Sequence, residues 1–178
     1  DQIHVYKPSH DGTDLRNGVL QLEEKNVVYT LEGGGARHVA FSGDGSTLYS
    51  LQEITGQVAV FKFEGEEWAL KQSVPIFGDG FEGEQGAAEL KVSPDGRTLY
   101  ATNRGDANLI AQYDILANGT LEWRNQYSVQ GEGPRNFNIT PDGRFVLVAN
   151  QKTNQIVVFQ RDTISGDLSD TGTRIDVP

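Results

Sequence analysis

Cysteine and methionine are both absent from this chain of 178 residues. Without cysteine there are no disulfides, no thiol nucleophile and no cysteine-held metal, and the redox compartment stays open. Without methionine there is no initiator, and Asp1 leads directly into the strand-like Gln2-Ile3-His4-Val5-Tyr6. No signal peptide is visible; an upstream part is expected ahead of Asp1, any address would have gone with it, and a cytoplasmic protein is the expectation. Long apolar runs are missing as well. A stretch such as Val146 to Ala149 is far short of the ~20 residues that a membrane helix needs. Positive charge is scarce, with 15 Lys+Arg against 25 Asp+Glu and a net charge of −10. No broad nucleic-acid face is expected, because phosphate backbones want a basic surface. A small anionic ligand remains open if arginines gather in one place. No segment of ordinary helix length carries a 3.6-residue apolar period. Spacings such as His-x-x-x-His are also lacking, so neither a metal nor another cofactor is expected.

The chain does have turns and short strands. Gly 21 and Pro 6 in a chain with 37% hydrophobic residues suit many strands joined tightly. A pattern repeats three times, at Arg37 to Tyr49, Glu89 to Tyr100 and Asn136 to Leu147. Each copy is an apolar strand, an Asp-Gly turn and a second apolar strand. Asp-Gly fits such a turn because glycine accepts positive φ. A second hairpin follows each, with third strands at Val58–Phe61, Leu109–Tyr113 and Ile156–Phe159 and fourth strands led by Leu70, Leu121 and Leu168. The opening matches this second half alone, with Ile3 to Tyr6, a turn at Asp11-Gly12, then Leu15. The aromatics Tyr6, Phe61, Tyr113 and Phe159 recur at separations of 55, 52 and 46 residues. Four strands at this period indicate propeller blades. The fold class is therefore all-β, a β-propeller of four-stranded antiparallel blades. The outer strands of one blade are expected at 1–31, and full blades at 36–75, 87–130 and 134–178. The polar, Gly-rich stretch from Phe77 to Ala88 is read as a loop over one face, with room for one helical turn.

In a blade, strand 1 lines the central channel and strand 2 runs antiparallel beside it. The start of strand 1 and the end of strand 2 therefore meet at one mouth. The strand 1 starts carry Arg37 and His38, then Glu89, then Arg135 and Asn136. The strand 2 ends carry Gln52 and Glu53, then Asn103 and Arg104, then Asn150 and Gln151. Unlike charges converging on one concave face make a candidate site. His38 suits a general base near neutral pH, or packs as a hydrogen-bonded histidine. Glu89 either activates water or forms an ion pair with Arg104 or Arg37. The arginines can grip carboxylate or phosphate with two bonds, polarise a carbonyl, or tie neighbouring blades together. Glu53 reads equally as a blade-linking partner, and Asn103 and Asn150 as loop-capping amides. Asp44, Asp95 and Asp142 belong to the turns at the opposite mouth. Ser42, Ser93 and Thr140 precede those turns and lack a nucleophile-elbow setting. His4 and His10 read as surface residues, and Trp68 and Trp123 as lying on the outside of blades.

Several of these stretches resemble the bacterial 6-phosphogluconolactonase propeller family, which includes the fungal 3-carboxy-cis,cis-muconate lactonizing enzyme. They are Gly35 to Ser42 with Leu48 to Glu53, Gly86 to Gly96, Thr102 to Gly105, and Gly133 to Phe137 with Leu147 to Gln151. The departures are Ala36, where the family usually has Pro, and Gln52, where it usually has Asn. The resemblance implies a seven-bladed propeller of about twice this length, of which about three and a half blades are here. The expected partners are a small lactone and either the missing N-terminal half or a second copy of the chain. The implied activity is hydrolysis of a sugar lactone, 6-phosphogluconolactone to 6-phosphogluconate, by activated water. His38, Glu89 and Arg104 form the candidate catalytic set. Arg37, Arg135, Glu53, Asn103 and Asn150 form the candidate substrate-binding set. A lactonizing isomerase and a non-catalytic scaffold are the alternatives, since propellers host many unrelated functions.

Overall fold

The computed structural model describes residues 1–8, 22–78 and 81–177. Among them every regular element is a β-strand. β1 (Gln2–Pro8) pairs antiparallel with β2 (Leu22–Tyr29) as a two-stranded sheet. Three four-stranded antiparallel meanders follow. The first runs β3 (Ala36–Phe41), β4 (Thr47–Gln52), β5 (Gln57–Glu64) and β6 (Glu67–Pro75). The second runs β7 (Ala87–Val92), β8 (Thr98–Asn103), β9 (Leu109–Ile115) and β10 (Leu121–Ser128). The third runs β11 (Pro134–Ile139), β12 (Phe145–Asn150), β13 (Gln155–Arg161) and β14 (Leu168–Asp176). The first strand of each sheet packs on the first strand of the next, so β7 lies between β3 and β11. That is the stacking of consecutive propeller blades.

The turn chemistry explains the tight joint between strands 1 and 2. Gly45, Gly96 and Gly143 have φ of +71°, +72° and +71°, where a side chain would be strained. In each turn the glycine N–H donates to the carbonyl three residues back, on Ser42, Ser93 or Thr140, at 2.8 Å. The hydroxyl of that residue donates to the turn aspartate at 2.6 Å. One oxygen of each of Asp44, Asp95 and Asp142 is thereby taken up by its own turn.

Apolar clusters between sheets hold the stack. Tyr49, Leu51 and Val58 pack with Leu90, Leu99 and Ala101 between the first and second blades. Tyr100 and Ile110 pack with Phe137, Val146 and Val148 between the second and third. Val28 packs with Leu48, Ala59 and Phe61 between the two-stranded sheet and the first blade. Each Val, Leu, Ile or Phe among them, once buried, contributes about 1.5–3 kcal/mol. Hydroxyls add register between blades. Tyr49 Oη donates to Gly119 O at 3.0 Å, and Tyr100 Oη donates to Gly166 O at the equivalent place one blade on.

Two expectations need amendment. The loop between β6 and β7 forms no helical turn in its described part; Phe77 stacks on Phe81 instead, with ring centroids 4.1 Å apart. That stack satisfies the loop's aromatics without helical hydrogen bonds. Asp11-Gly12, Leu15 and His10 lie outside the described residues, and the strand that pairs with β1 is led by Leu22. His4 is surface-exposed, with Nδ1 2.6 Å from Glu24 Oε2. Trp68 and Trp123 lie on the fourth strands β6 and β10.

Candidate active site

The ends of β3, β7 and β11 away from the Asp-Gly turns carry the charged cluster, and each is distorted in the same way. Pairing of β3 with β4 skips Arg37, between Ala36↔Gln52 and His38↔Leu51. Pairing of β11 with β12 skips Arg135, between Pro134↔Asn150 and Asn136↔Ala149. The β7–β8 pairing is irregular between Ala87 and Leu90, which brackets Glu89. A bulge breaks the alternation of faces and re-aims a side chain. Consecutive residues such as Arg37 and His38 therefore both reach the site. No glycine lies within these bulges, though Gly35, Gly86 and Gly133 each stand one residue before the pair at which one begins.

A chain of contacts crosses all three blades. His38 Nδ1 lies 2.9 Å from Glu89 Oε1, joining the first blade to the second. Asn136 Nδ2 donates to Glu89 Oε2, joining the second to the third. Lys91 Nζ sits 3.8 Å from the same oxygen. The Glu89 side chain is only 8% exposed, and that of His38 38%. The Leu90 N–H also donates to Glu89 Oε1, at 3.1 Å; a buried carboxylate is costly unless it is paired, and this one is paired on both oxygens. The ion pair considered between Glu89 and Arg37 or Arg104 does not form. Those arginines go to Glu53.

Glu53 follows β4 and receives two guanidinium groups. Arg37 Nη1 donates to Glu53 Oε2 at 3.1 Å, and Arg104 Nη2 donates to Glu53 Oε1. Burial pushes the Glu53 carboxyl up, but its bonds and charge pairing with Arg37 and Arg104 outweigh this and hold it below its ordinary value. Both arginines also hold backbone: Arg37 Nε donates to Ala88 O at 2.9 Å, and Arg104 Nε to Gly86 O at 3.2 Å.

Arg135 differs from the other two. It is exposed and makes no hydrogen bond or ion pair with a described residue. With Arg37, His38, Asn136, Asn150 and Gln151 it lines a cavity of about 500 Å³. Arg104 is not brought there; it lines a separate depression of about 480 Å³ with Glu53 and Glu84. Asn103 and Asn150 are buried amides that hold loops. Asn103 Oδ1 accepts from Gly86 N at 2.7 Å, and Asn150 Nδ2 donates to Val129 O at 2.9 Å. Asn103 Nδ2 and Asn150 Oδ1 are buried without a partner among the described residues. No group of three or more His, Asp or Glu side chains able to hold a metal occurs among the described residues.

Sequence reasoning missed one buried cation. Arg161, on β13, has a side chain only 1% exposed. It donates to Tyr100 Oη at 2.9 Å, Gly143 O at 3.2 Å and Asp95 Oδ2 at 2.9 Å. It lies at the Asp-Gly end, away from the cluster, and ties the second and third blades.

A family model described as "Lactonase, 7-bladed beta-propeller" matches residues 1–178. A 6-phosphogluconolactonase of Formosa agariphila is 34% identical over 170 residues, covering 94% of this chain and 47% of the relative. A 6-phosphogluconolactonase of Serratia proteamaculans is 33% identical over 154 residues, covering 85% of this chain and 46% of the relative. The solved structure of a periplasmic gluconolactonase of Pseudomonas aeruginosa superposes with a TM-score of 0.87 at 38% identity, over 99% of this chain and 48% of that one. The chain thus spans about half the length of the relatives it matches. No helix among the described residues is long and apolar enough to cross a membrane.

Proposed function

The chain belongs to the seven-bladed β-propeller lactonase family, and on that premise we propose that it supplies the lactone-opening site of a propeller that hydrolyses 6-phosphogluconolactone to 6-phosphogluconate. The observation that carries this reading is the His38–Glu89 pair at 2.9 Å beside the unpaired Arg135 guanidinium. An ionised carboxylate only accepts hydrogen bonds, so Glu89 places the imidazole proton on Nδ1. Nε2 then carries the free lone pair, and it has no partner among the described residues. A neutral imidazole held this way takes a proton from water as that water attacks the lactone carbonyl. The carbonyl oxygen gains negative charge in the tetrahedral intermediate, and Arg37 in the same cavity stabilises it. Collapse breaks the ring C–O bond, and the imidazolium returns the proton to the departing ring oxygen. Asn136 steadies Glu89 from the third blade. Arg135 grips the phosphate, for which a planar guanidinium offers two parallel donors. The site opens at one mouth of the propeller channel, and the remaining blades close on the free face of the third blade.

The test is kinetic, with the natural protein carrying this segment. Arg135→Ala should raise KM for 6-phosphogluconolactone about 10- to 150-fold, the equivalent of a charged hydrogen bond of about 1.5–3 kcal/mol. KM for unphosphorylated gluconolactone should change far less. Equal losses on both substrates would remove Arg135 from the phosphate.

A further inference from the structure

We infer that Glu53 is a positioning residue, which sets the strand entry carrying Glu89 by clamping Arg37 and Arg104 onto its backbone. This rests on the lactone-opening reading for its kinetic consequence, though not for the geometry. Each carboxylate oxygen of Glu53 is taken by a different arginine, Arg37 on β3 and Arg104 just past β8. Each arginine uses its Nε on a carbonyl of the segment that enters β7, Ala88 O for one and Gly86 O for the other. The segment Gly86–Ala88 is therefore held from both sides by guanidinium groups with one common anion. Its next residue is Glu89, whose two oxygens face His38 and Asn136.

Among the described residues, the one further hydrogen bond from the first blade to Gly86–Ala88 is Ala87 N to Glu53 O, at 3.2 Å. That bond comes from the backbone of the same Glu53. Within the second blade the Arg104 N–H also donates to Gly86 O, at 2.9 Å, and Asn103 adds its bond to Gly86 N. Removing the Glu53 charge leaves two guanidinium groups facing each other with no anion between them. Their repulsion drives them off the carbonyls, and the strand entry drifts. A shift of Glu89 of the order of 1 Å misaligns the His38 imidazole, and the displaced Arg37 no longer faces the developing oxyanion, while Arg135, the group that grips the phosphate, is left in place. Glu53 is thus assigned to turnover, with Arg135 assigned to affinity. Its acidity, held down by the two arginines against the pull of burial, keeps the clamp ionised across the neutral range.

The experiment is Glu53→Gln in the natural protein carrying this segment, read in two ways. Gln keeps length and one acceptor but loses the charge. Turnover of 6-phosphogluconolactone should fall roughly ten- to a hundredfold, with KM within about twofold of wild type. Hydrogen exchange of the amides at residues 86–90 should quicken at the same time. Should this variant fail to fold, Arg104→Met opens the clamp from the other end, with the same pair of changes expected. Wild-type turnover together with wild-type exchange overturns the assignment. So does a raised KM with unchanged turnover, which would put Glu53 on the substrate. Quickened exchange in the variant of a protein that opens no lactone even as wild type would leave the clamp standing and remove the lactone reading.

Discussion

Asn103, fully buried at the end of β8, shows how single residues shape the site without facing it. Its Oδ1 satisfies the Gly86 N–H, a donor that is otherwise stranded in the loop entering β7. Asn150 holds a loop residue one blade on in the opposite sense, its Nδ2 donating to Val129 O. Gln52 holds the same place in the first blade, but its longer arm turns back to Ser50 Oγ at 2.9 Å. Asn103→Ala should cost about 1–3 kcal/mol, because a buried donor loses its acceptor. Urea denaturation checks this, and a loss below about 0.5 kcal/mol would show the loop to be held by other contacts. These amides were legible in the sequence as repeat-matched positions, but their partners were not. A partner in a preceding loop is fixed only when the blade closes. The same holds for Glu53, whose place at the strand end was visible while its two arginines were seen only as separate candidates.

At the scale of elements, the Asp-Gly turns and the strands they join were legible because each signal is local. The blade-to-blade ties were not. Counting from the aromatics Phe61, Tyr113 and Phe159, Arg161 occupies the place of Phe63 and Ile115. A cation at that position finds its anion, Asp95, only in the neighbouring blade. Burial pushes the Asp95 carboxyl up, but bonds from Ser93, the Arg97 backbone and Arg161 win and hold it at about 2, below the ordinary 3.8. The folded state therefore binds that proton less readily than the unfolded one. The stabilisation is complete above about pH 4 and is lost as pH falls from about 4 towards 2. Asp95→Asn should flatten the acid limb of the stability curve in that window, measured as the denaturation midpoint against pH. An unchanged acid limb would assign the acid sensitivity to other carboxylates. Removing Arg161 is the harsher change, since Asp95 and Tyr100 lose their shared donor. Arg161→Ala should cost about 3–5 kcal/mol.

At the scale of the whole molecule, burial records what surrounds each blade. All six positions of β4 and of β8 are buried, so both faces of the first and second blades are covered. β12 is equally apolar in sequence, yet buried and half-buried positions alternate along it. Phe145, Leu147 and Ala149 form the half-buried face, continued by Ile156 and Val158 of β13. Strands buried on both faces read as continuous apolar runs, so β12 has the composition of a strand with neighbours on two sides. This matches a chain that spans about half the length of its relatives. The repeat made the fold legible, because each blade restates it. The site was legible only as a set of strand ends. The division of labour proposed for it, a His38–Glu89 pair, a Glu53 clamp and a free Arg135, depends on bulges and cross-blade contacts that no local pattern encodes. The most direct test of the central claim is the rate of acid release from 6-phosphogluconolactone in weak buffer, above the uncatalysed background. It compares the natural protein carrying this segment with its His38→Ala and Glu89→Gln variants. Turnover is predicted to fall about 10²–10⁴-fold in His38→Ala and to fall clearly in Glu89→Gln; wild-type rates in both would contradict the account and leave the cluster a structural feature of a scaffold.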